Sequence, residues 1–216
     1  MSSPETPFPG RSPAARGGAA TAPGGGTVQV YVLGDGDIAR YGICSRLRAM
    51  PGIGVAGDGR AGVAALEQVR EQRPDVVVVA ARLADRDVIT CARELRSADP
   101  ALRTLLLTSC EPPEATLTAI FVGACAHVYT GAGGRVLAAE VRGTAAGQRM
   151  LEGRRLREAL ESMRSGRLGV RLSVLEDELL EFMIRGMTDV EIAYCLNLDA
   201  RLVSRQIGVI LAKLPG

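Results

Sequence analysis

The 216-residue chain has no tryptophan, one histidine (His127) and one lysine (Lys213), and aromatic residues make up 3% of it. Any core must therefore be aliphatic. At 47% hydrophobic residues there is enough apolar material for packing one or two domains. No apolar run reaches the roughly 18 residues that span a bilayer, so a membrane is not an expected partner. Residues 1–26 lack the apolar core of a signal peptide. They are Pro/Gly/Ala-rich with nothing to bury, which predicts a disordered tail and a cytoplasmic protein. Cys44, Cys91, Cys110, Cys125 and Cys195 are scattered, odd in number and never in C-x-x-C spacing, which argues against a disulfide framework or a zinc site. Each sits in an apolar context and reads as a small buried hydrophobe. A net charge of +2 names no partner. Almost all positive charge is arginine, as a GC-rich genome supplies, so arginine frequency alone says little about nucleic acid.

Catalytic constellations are missing too. There is no Ser/His/Asp set, phosphate-binding glycine loop or metal cluster, so neither an enzyme nor a cofactor is expected. The Gly34-Asp35-Gly36-Asp37 run lacks the remaining ligands of a calcium loop. His127 lies in a short strand-like segment and is expected to pack.

What is present is concentrated in residues 172–214. Ser173 and Glu176 stand in S-x-x-E spacing, the reciprocal cap of a helix start. Leu175, Leu179, Phe182 and Met183 follow on one face, and Gly186 supplies a stop. Thr188 and Glu191 repeat the cap before a short helix with Ile192 and Leu196 inward. Asp199 caps a third helix whose buried stripe is Val203, Ile207, Ile210, Leu211 and Leu214. Three short capped helices with tight turns read as a helix-turn-helix. At about 100° per residue, Arg201, Arg205, Gly208 and Ala212 lie opposite that stripe. Arginine is the commonest bidentate partner of guanine, and Gly208 and Ala212 keep the face low enough to enter a major groove. Ser204 and Gln206 flank it, and with Thr188, which opens the preceding helix, they join Arg201 and Arg205 as the expected DNA-contacting residues. Two arginines alone fit an ordinary solvated helix equally well; the doubled caps and short turns favour DNA. Because Glu176, Asp177, Glu178, Glu181, Asp189, Glu191 and Asp199 offset the arginines, affinity should rest on a few contacts and be salt-sensitive.

Upstream, the hydrophobic pattern alternates between strand and helix. Strand-like segments fall near 28–34, 52–56, 74–80, 102–108 and 126–129, and helical ones at 38–50, 61–72, 87–96, 113–122 and 136–146. The β-branched run at 74–80 marks a central parallel strand covered on both faces. Five such units in about 120 residues imply an α/β doubly wound parallel sheet, five-stranded and flavodoxin-like, with its crevice at the carboxyl ends of the strands. The expected organisation is the tail, this domain at 27–147, a linker helix at 148–167 and a small all-α helix-turn-helix domain at 168–216. The linker helix is read as continuing from the domain's last helix across 144–165. Leu151, Leu156, Leu160 and Met163 form its stripe, ringed by Arg149, Arg154, Arg155, Arg157 and Arg164. It either docks on a domain or pairs with its twin in a dimer, or it is a solvated spacer, and Ser165-Gly166-Arg167 ends it.

Residues 172–214 resemble the C-terminal DNA-binding domain of LuxR/FixJ/NarL-class bacterial regulators, through Leu172, Ser173, Glu176, Glu178, Gly186, Glu191, Ile192, Ala193, Leu196, Val203, Ile210, Lys213 and Leu214. Val174, Leu202 and Ser204 depart from the family's usual proline, threonine and basic residue. The family's fourth, dimerising helix has no counterpart before Gly216, so a dimer is expected to use another surface. Residues 28–147 resemble a response-regulator receiver, through Asp35, Arg40, Gly42, Pro74-Asp75, Thr108 and Gly123-Ala124.

The resemblance implies an aspartyl-phosphate switch, which needs a carboxylate nucleophile, an acidic pair for Mg²⁺ and a lysine. Those positions hold Ala80, Gly34 with Asp35, and Thr130; only Thr108 keeps the family's hydroxyl. The expectation is a degenerate receiver that cannot run this phosphoryl transfer. Asp37, Asp85 and Asp87 lie near the same loops, but read better as helix-start residues. The resemblance further implies an orphan transcription regulator, an activator of a specialised-metabolite (antibiotic) gene cluster. Its expected partners are double-stranded operator DNA, a second copy of the chain, RNA polymerase and a small-molecule ligand admitted by a less charged crevice. The rival expectation is a protein–protein regulator that heterodimerises with a related factor and does not bind DNA.

Overall fold

The computed structural model describes residues 26–110, 114–148, 153–165 and 171–214, without the side chains of 153–156. Residues 1–25 of the expected tail, and the Arg149, Leu151, Arg154, Arg155 and Leu156 side chains of the linker stripe, lie outside the described part. In chain order come β1 (Val28–Leu33), α1 (Asp37–Arg48), β2 (Ile53–Gly59), α2 (Val63–Gln72), β3 (Val76–Ala80), α3 (Arg86–Ala98), β4 (Arg103–Thr108), α4 (Glu114–Val122), β5 (Ala126–Tyr129) and α5 (Gly134–Ala145). After them come α6 (Gly153–Arg164), α7 (Val174–Ile184), α8 (Asp189–Leu196) and α9 (Ala200–Lys213). The strands form one parallel sheet in the order β2-β1-β3-β4-β5. This is the expected doubly wound architecture.

Strand alternation divides the sheet between two cores. Val30, Val32, Val76, Val78, Leu105 and Leu107 pack against α1 and α5. Tyr31, Leu33, Val77, Val79 and Leu106 face the opposite layer of α2, α3 and α4. Val76–Val79 are fully buried, which is why β3 reads as an unbroken β-branched run. Tyr31 is the one fully buried aromatic among the described strand residues. Its hydroxyl donates to Gln68 Oε1 at 2.7 Å, and burial pushes its pKa up to about 12.

The second core does not stop at the receiver-like domain. It runs on through Ala159, Leu160 and Met163 of α6 into Leu179, Leu180, Ile192, Val203 and Ile207 of the last three helices. The junction is α4, whose residues Ala115–Val122 are buried on every side. A helix apolar all round must be covered all round, and α6 and α7 cover the side that the sheet does not. The described part of the linker helix packs against α4. Arg164 stitches its end to α7 by a bidentate pair with Asp177 (2.8 and 3.0 Å) and a contact to Glu181 at 2.7 Å. Those carboxylates raise the Arg164 pKa above its ordinary value.

The linker helix is not continuous with α5. Gly147 takes φ +83, and Gly147 N and Gln148 N close on Thr144 O and Gly143 O at 2.9 Å. This paired closure ends a helix, and glycine supplies the left-handed residue it needs. The cysteine reading also needs a correction. Cys44 and Cys91 are buried and Cys110 and Cys125 half-buried, but Cys195 is exposed on α8. No described helix is long and apolar enough to cross a membrane.

Candidate functional site

The last three helices are capped as their sequence requires. Ser173 Oγ accepts from Glu176 N while Glu176 Oε2 accepts from Ser173 N, and Thr188 and Glu191 repeat the exchange. Asp199 Oδ1 accepts from Arg201 N at 2.7 Å, opening α9. Gly186 ends α7 at φ +79, and Asn197 ends α8 at φ 52. These caps fix short turns and leave α9 with Val203, Ile207, Ile210 and Leu211 inward.

Outward, Arg201 and Arg205 are exposed, with Gly208 and Ala212 beside them. A Cβ at Gly208 would meet nothing within 4 Å, so that flank is open space. Ser204 and Gln206 are half-buried at the edges. Val209, exposed to 40%, lies on the same face and was absent from the sequence reading. Its angular position, 40° from Arg205 at 100° per residue, was the signal available. Thr188, expected to contact DNA, is not at the surface. It is 3% exposed, and its hydroxyl is engaged wholly with Glu191. Helix α3 contacts the residues around it: Arg93, buried, donates to Phe121 O at 2.9 Å and pairs with Asp189, while Arg96 donates to Gly186 O at 2.8 Å.

Lys213 does not serve the outer face. Its ammonium sits 2.6 Å from both Glu176 carboxylate oxygens and reaches Arg171 O, tying the end of α9 to the start of α7. Burial opposes the charge on Glu176, but the hydrogen bonds from Lys213 and Ser173 prevail and hold its pKa below the ordinary carboxylate value.

At the carboxyl ends of the strands, Gly34 follows β1 and Ala80 ends β3. A Cβ at 34 would come 3.1 Å from both Ala80 Cβ and Ala80 O, so this pair closes tightly because both residues are small. Asp35 is exposed, and its carboxylate accepts from Ala61 N at 3.3 Å. Thr108 is buried, its hydroxyl accepting from Cys110 N, and Thr130 is exposed with its own N–H on Thr108 O. The neighbouring acids are engaged elsewhere. Arg40 holds Asp37 (2.7 Å), Asp58 (3.1 Å) and Gly34 O (2.7 Å). Asp85 precedes α3 but does not cap it with its side chain; its carboxylate accepts instead from Arg82 N at 2.8 Å. Asp87 is exposed in the first turn of α3.

Comparison with known proteins places this pair of units. The chain is 34% identical over 191 residues to the DNA-binding transcriptional activator DevR/DosR of Mycobacterium tuberculosis, covering 87% of this chain and 88% of that protein. The chain belongs to the NarL/LuxR family of response regulators. The response regulator VraR of Staphylococcus aureus is 25% identical over 189 residues, across 87% of this chain and 90% of its own. Among solved structures, the response regulator ChrA of a haem-sensing two-component system matches with TM-score 0.51 and 25% identity, over 87% of this chain and 90% of that one. The receiver domain of NarL from Mycobacterium tuberculosis matches with TM-score 0.50 and 26% identity, over 57% of this chain and all of its own. No family model matches the chain. Sheet and crevice thus correspond to a receiver, and α7–α9 to the family's helix-turn-helix.

Gly123, between α4 and β5 of the receiver, holds φ +70, and a Cβ there would collide with the Arg96 guanidinium. Gly123→Ala is expected to cost about 1–2 kcal/mol from the left-handed backbone alone. It also displaces Arg96 from Gly186 O. A denaturant melt measures the first effect, and faster amide exchange at the α7–α8 turn the second.

Proposed function

We propose that this family member is a DNA-binding transcription regulator whose receiver works without aspartyl phosphorylation. The observation that carries the proposal is the crevice floor. Ala80 has no oxygen to phosphorylate, and Gly34 lies so close to it that an acid at 34 would need its neighbours to give way. Asp37, Asp58 and Asp85 are held by Arg40 and by Arg82, which leaves no ready set of hard oxygen ligands for magnesium among the described residues. DNA contact falls to α9: Arg205 and Arg201 supply charged donors, Ser204 and Gln206 polar edges, and Val209 an apolar side chain of the kind that meets a thymine methyl. In this reading the protein is not an enzyme, acts in the cytoplasm as a homodimer and recruits RNA polymerase. It activates a specialised-metabolite gene cluster in response to a small molecule, a role that rests on the family resemblance of the sequence.

Two measurements test the core of this reading. Incubated with a labelled small phosphodonor, the protein is expected to take up no acyl phosphate. Ala80→Asp should stay equally unlabelled, since Gly34 and Thr130 still supply neither the second acid nor the ammonium. Uptake by the natural chain overturns the phosphorylation-independent reading. In filter binding without phosphodonor, the protein is expected to retain its own upstream DNA over unrelated fragments. Equal weak retention of every fragment supports instead the heterodimerising regulator that does not itself bind DNA. Pathway metabolites that change neither the melting temperature nor the operator affinity remove the small-molecule role.

A further inference from the structure

Residues 171–214 carry seven carboxylates against five cations, a net charge of −2. Attraction for DNA therefore depends on where single cations stand, not on bulk charge. Two of the five are engaged inside the module. Lys213 is bound to Glu176, and Arg185 lies over the Phe182 ring at 5.6 Å and 3.9 Å from Glu181. Arg171, Arg201 and Arg205 are exposed and take no part in the module's ion pairs among the described residues. Arg201 and Arg205 lie on α9. Arg171 does not, but the fold brings it there. The Lys213 ammonium reaches Arg171 O at 3.3 Å, which sets residue 171 beside the last turn of α9. Lys213 follows Val209 by 40° around the helix, so this flank adjoins the exposed face. The next two residues fix the backbone further: Leu172 packs against the core and Ser173 caps α7.

We infer that Arg171 is a further DNA contact, a grip on a backbone phosphate beside the last turn of α9, and that Lys213 is the residue that positions it. This inference rests on the DNA-binding reading above. At about 1.5 Å per residue, the 14-residue helix α9 is about 21 Å long. The major groove is about 12 Å wide and curves, so a straight helix seated in it passes phosphates at both ends. Arg201, in the first turn, serves one end. At the other, Lys213 is committed to Glu176, and Arg171 is the exposed arginine beside it. Because the backbone is held at three successive residues, the contact costs little ordering of the chain on binding. The guanidinium fork then matches two phosphate oxygens. Lys213 turns its own charge inward yet serves the DNA interface by fixing where this arginine stands. Two phosphate grips, one at each end of α9, set the register in which Arg205 meets base edges.

The experiment titrates the full-length protein on its own upstream DNA across a range of salt, beside Arg171→Gln, Arg171→Lys and Arg185→Gln. Arg185→Gln removes the same charge from the opposite end of α7 and controls for net charge. Loss of a charged hydrogen bond should weaken Arg171→Gln about tenfold at low salt. Its salt slope should fall by about one, so the deficit narrows about fourfold between about 50 and about 200 mM salt. Sites selected from random DNA should be the same as the parent's, and the melting temperature unchanged. Arg171→Lys, which keeps a cation that can meet phosphate, should keep the slope, and Arg185→Gln should match the parent. An unchanged slope for Arg171→Gln overturns the contact. An equal fall for Arg185→Gln assigns the effect to net charge and overturns the placement. A fall for Arg171→Lys as large as for Arg171→Gln, or altered base preference in Arg171→Gln, overturns the phosphate grip. If the natural protein holds its upstream DNA no better than unrelated fragments at any salt, the DNA-binding reading itself fails, and this contact falls with it.

Discussion

Arg201→Ala/Arg205→Ala is expected to abolish specific retention of operator DNA while leaving the fold intact. Both side chains are exposed and neither supports the core, so the circular dichroism spectrum should be unchanged and the stability should stay within about 0.5 kcal/mol of the parent. On DNA the loss is large because little else on the outer face of α9 is charged. Ser204 brings no charge to it, and Lys213 is tied to Glu176. Each well-placed arginine contributes about 1–3 kcal/mol of discrimination, so the pair should cost at least about thirtyfold in affinity. The single variants should differ in kind. A base-reading arginine, on removal, relaxes preference at one position of sites selected from random DNA. A phosphate-gripping one weakens all sites alike and lowers the salt slope by about one. Arg205, in the middle of the exposed face, is expected to behave in the first way and Arg201, in the first turn, in the second. If the double variant still selects the parent's operator, α9 is not the reading helix.

Glu176→Ala is expected to unfold the helix-turn-helix before the receiver. The carboxylate does two jobs from a buried position: it completes the cap of α7 and anchors Lys213 at the far end of α9. Loss of a cap costs about 1 kcal/mol, and loss of a charged hydrogen bond about 1.5–3 kcal/mol. Lys213 is over a third exposed and can rehydrate, so the sum should stay near 2–4 kcal/mol rather than the larger penalty of a stranded buried charge. The pH dependence follows from the depressed pKa of Glu176. Its stabilising contribution is complete above the unfolded-state value of about 4.3. It disappears as pH falls through the lower folded-state value. The natural module should therefore lose stability on acidification below about pH 4, and Glu176→Gln should lack that part of the loss. A Glu176→Ala melt that superimposes on the parent's removes this account of the cap and anchor.

Several features were legible because they follow from local rules. The two S/T-x-x-E pairs capped helices where their spacing said they would, since a cap is settled within four residues. The stripe from Val203 to Leu214 was buried as its periodicity required. Val76–Val79 proved central because a β-branched run with no polar alternation has no face to give to water. Strand and helix ends moved by only a few residues, and the one wrong join, between α5 and the linker helix, was broken by Gly147 adopting a left-handed turn that an isolated glycine does not announce.

The sequence alone determined the order of elements, the caps, the inward and outward faces of α9 and the absence of a carboxylate at position 80, because each depends on residue type or near neighbours. Tertiary structure alone decided what those surfaces meet. Thr188 reads as a DNA-contacting residue until the fold buries it beside the contact of α3 with α8, and Arg93 and Asp189 are unremarkable charges until a separation of 96 residues closes. Even the hint in α4, apolar on every side, says only that something covers it. Which helix does so depends on the path of the chain through space, and no local pattern encodes that path.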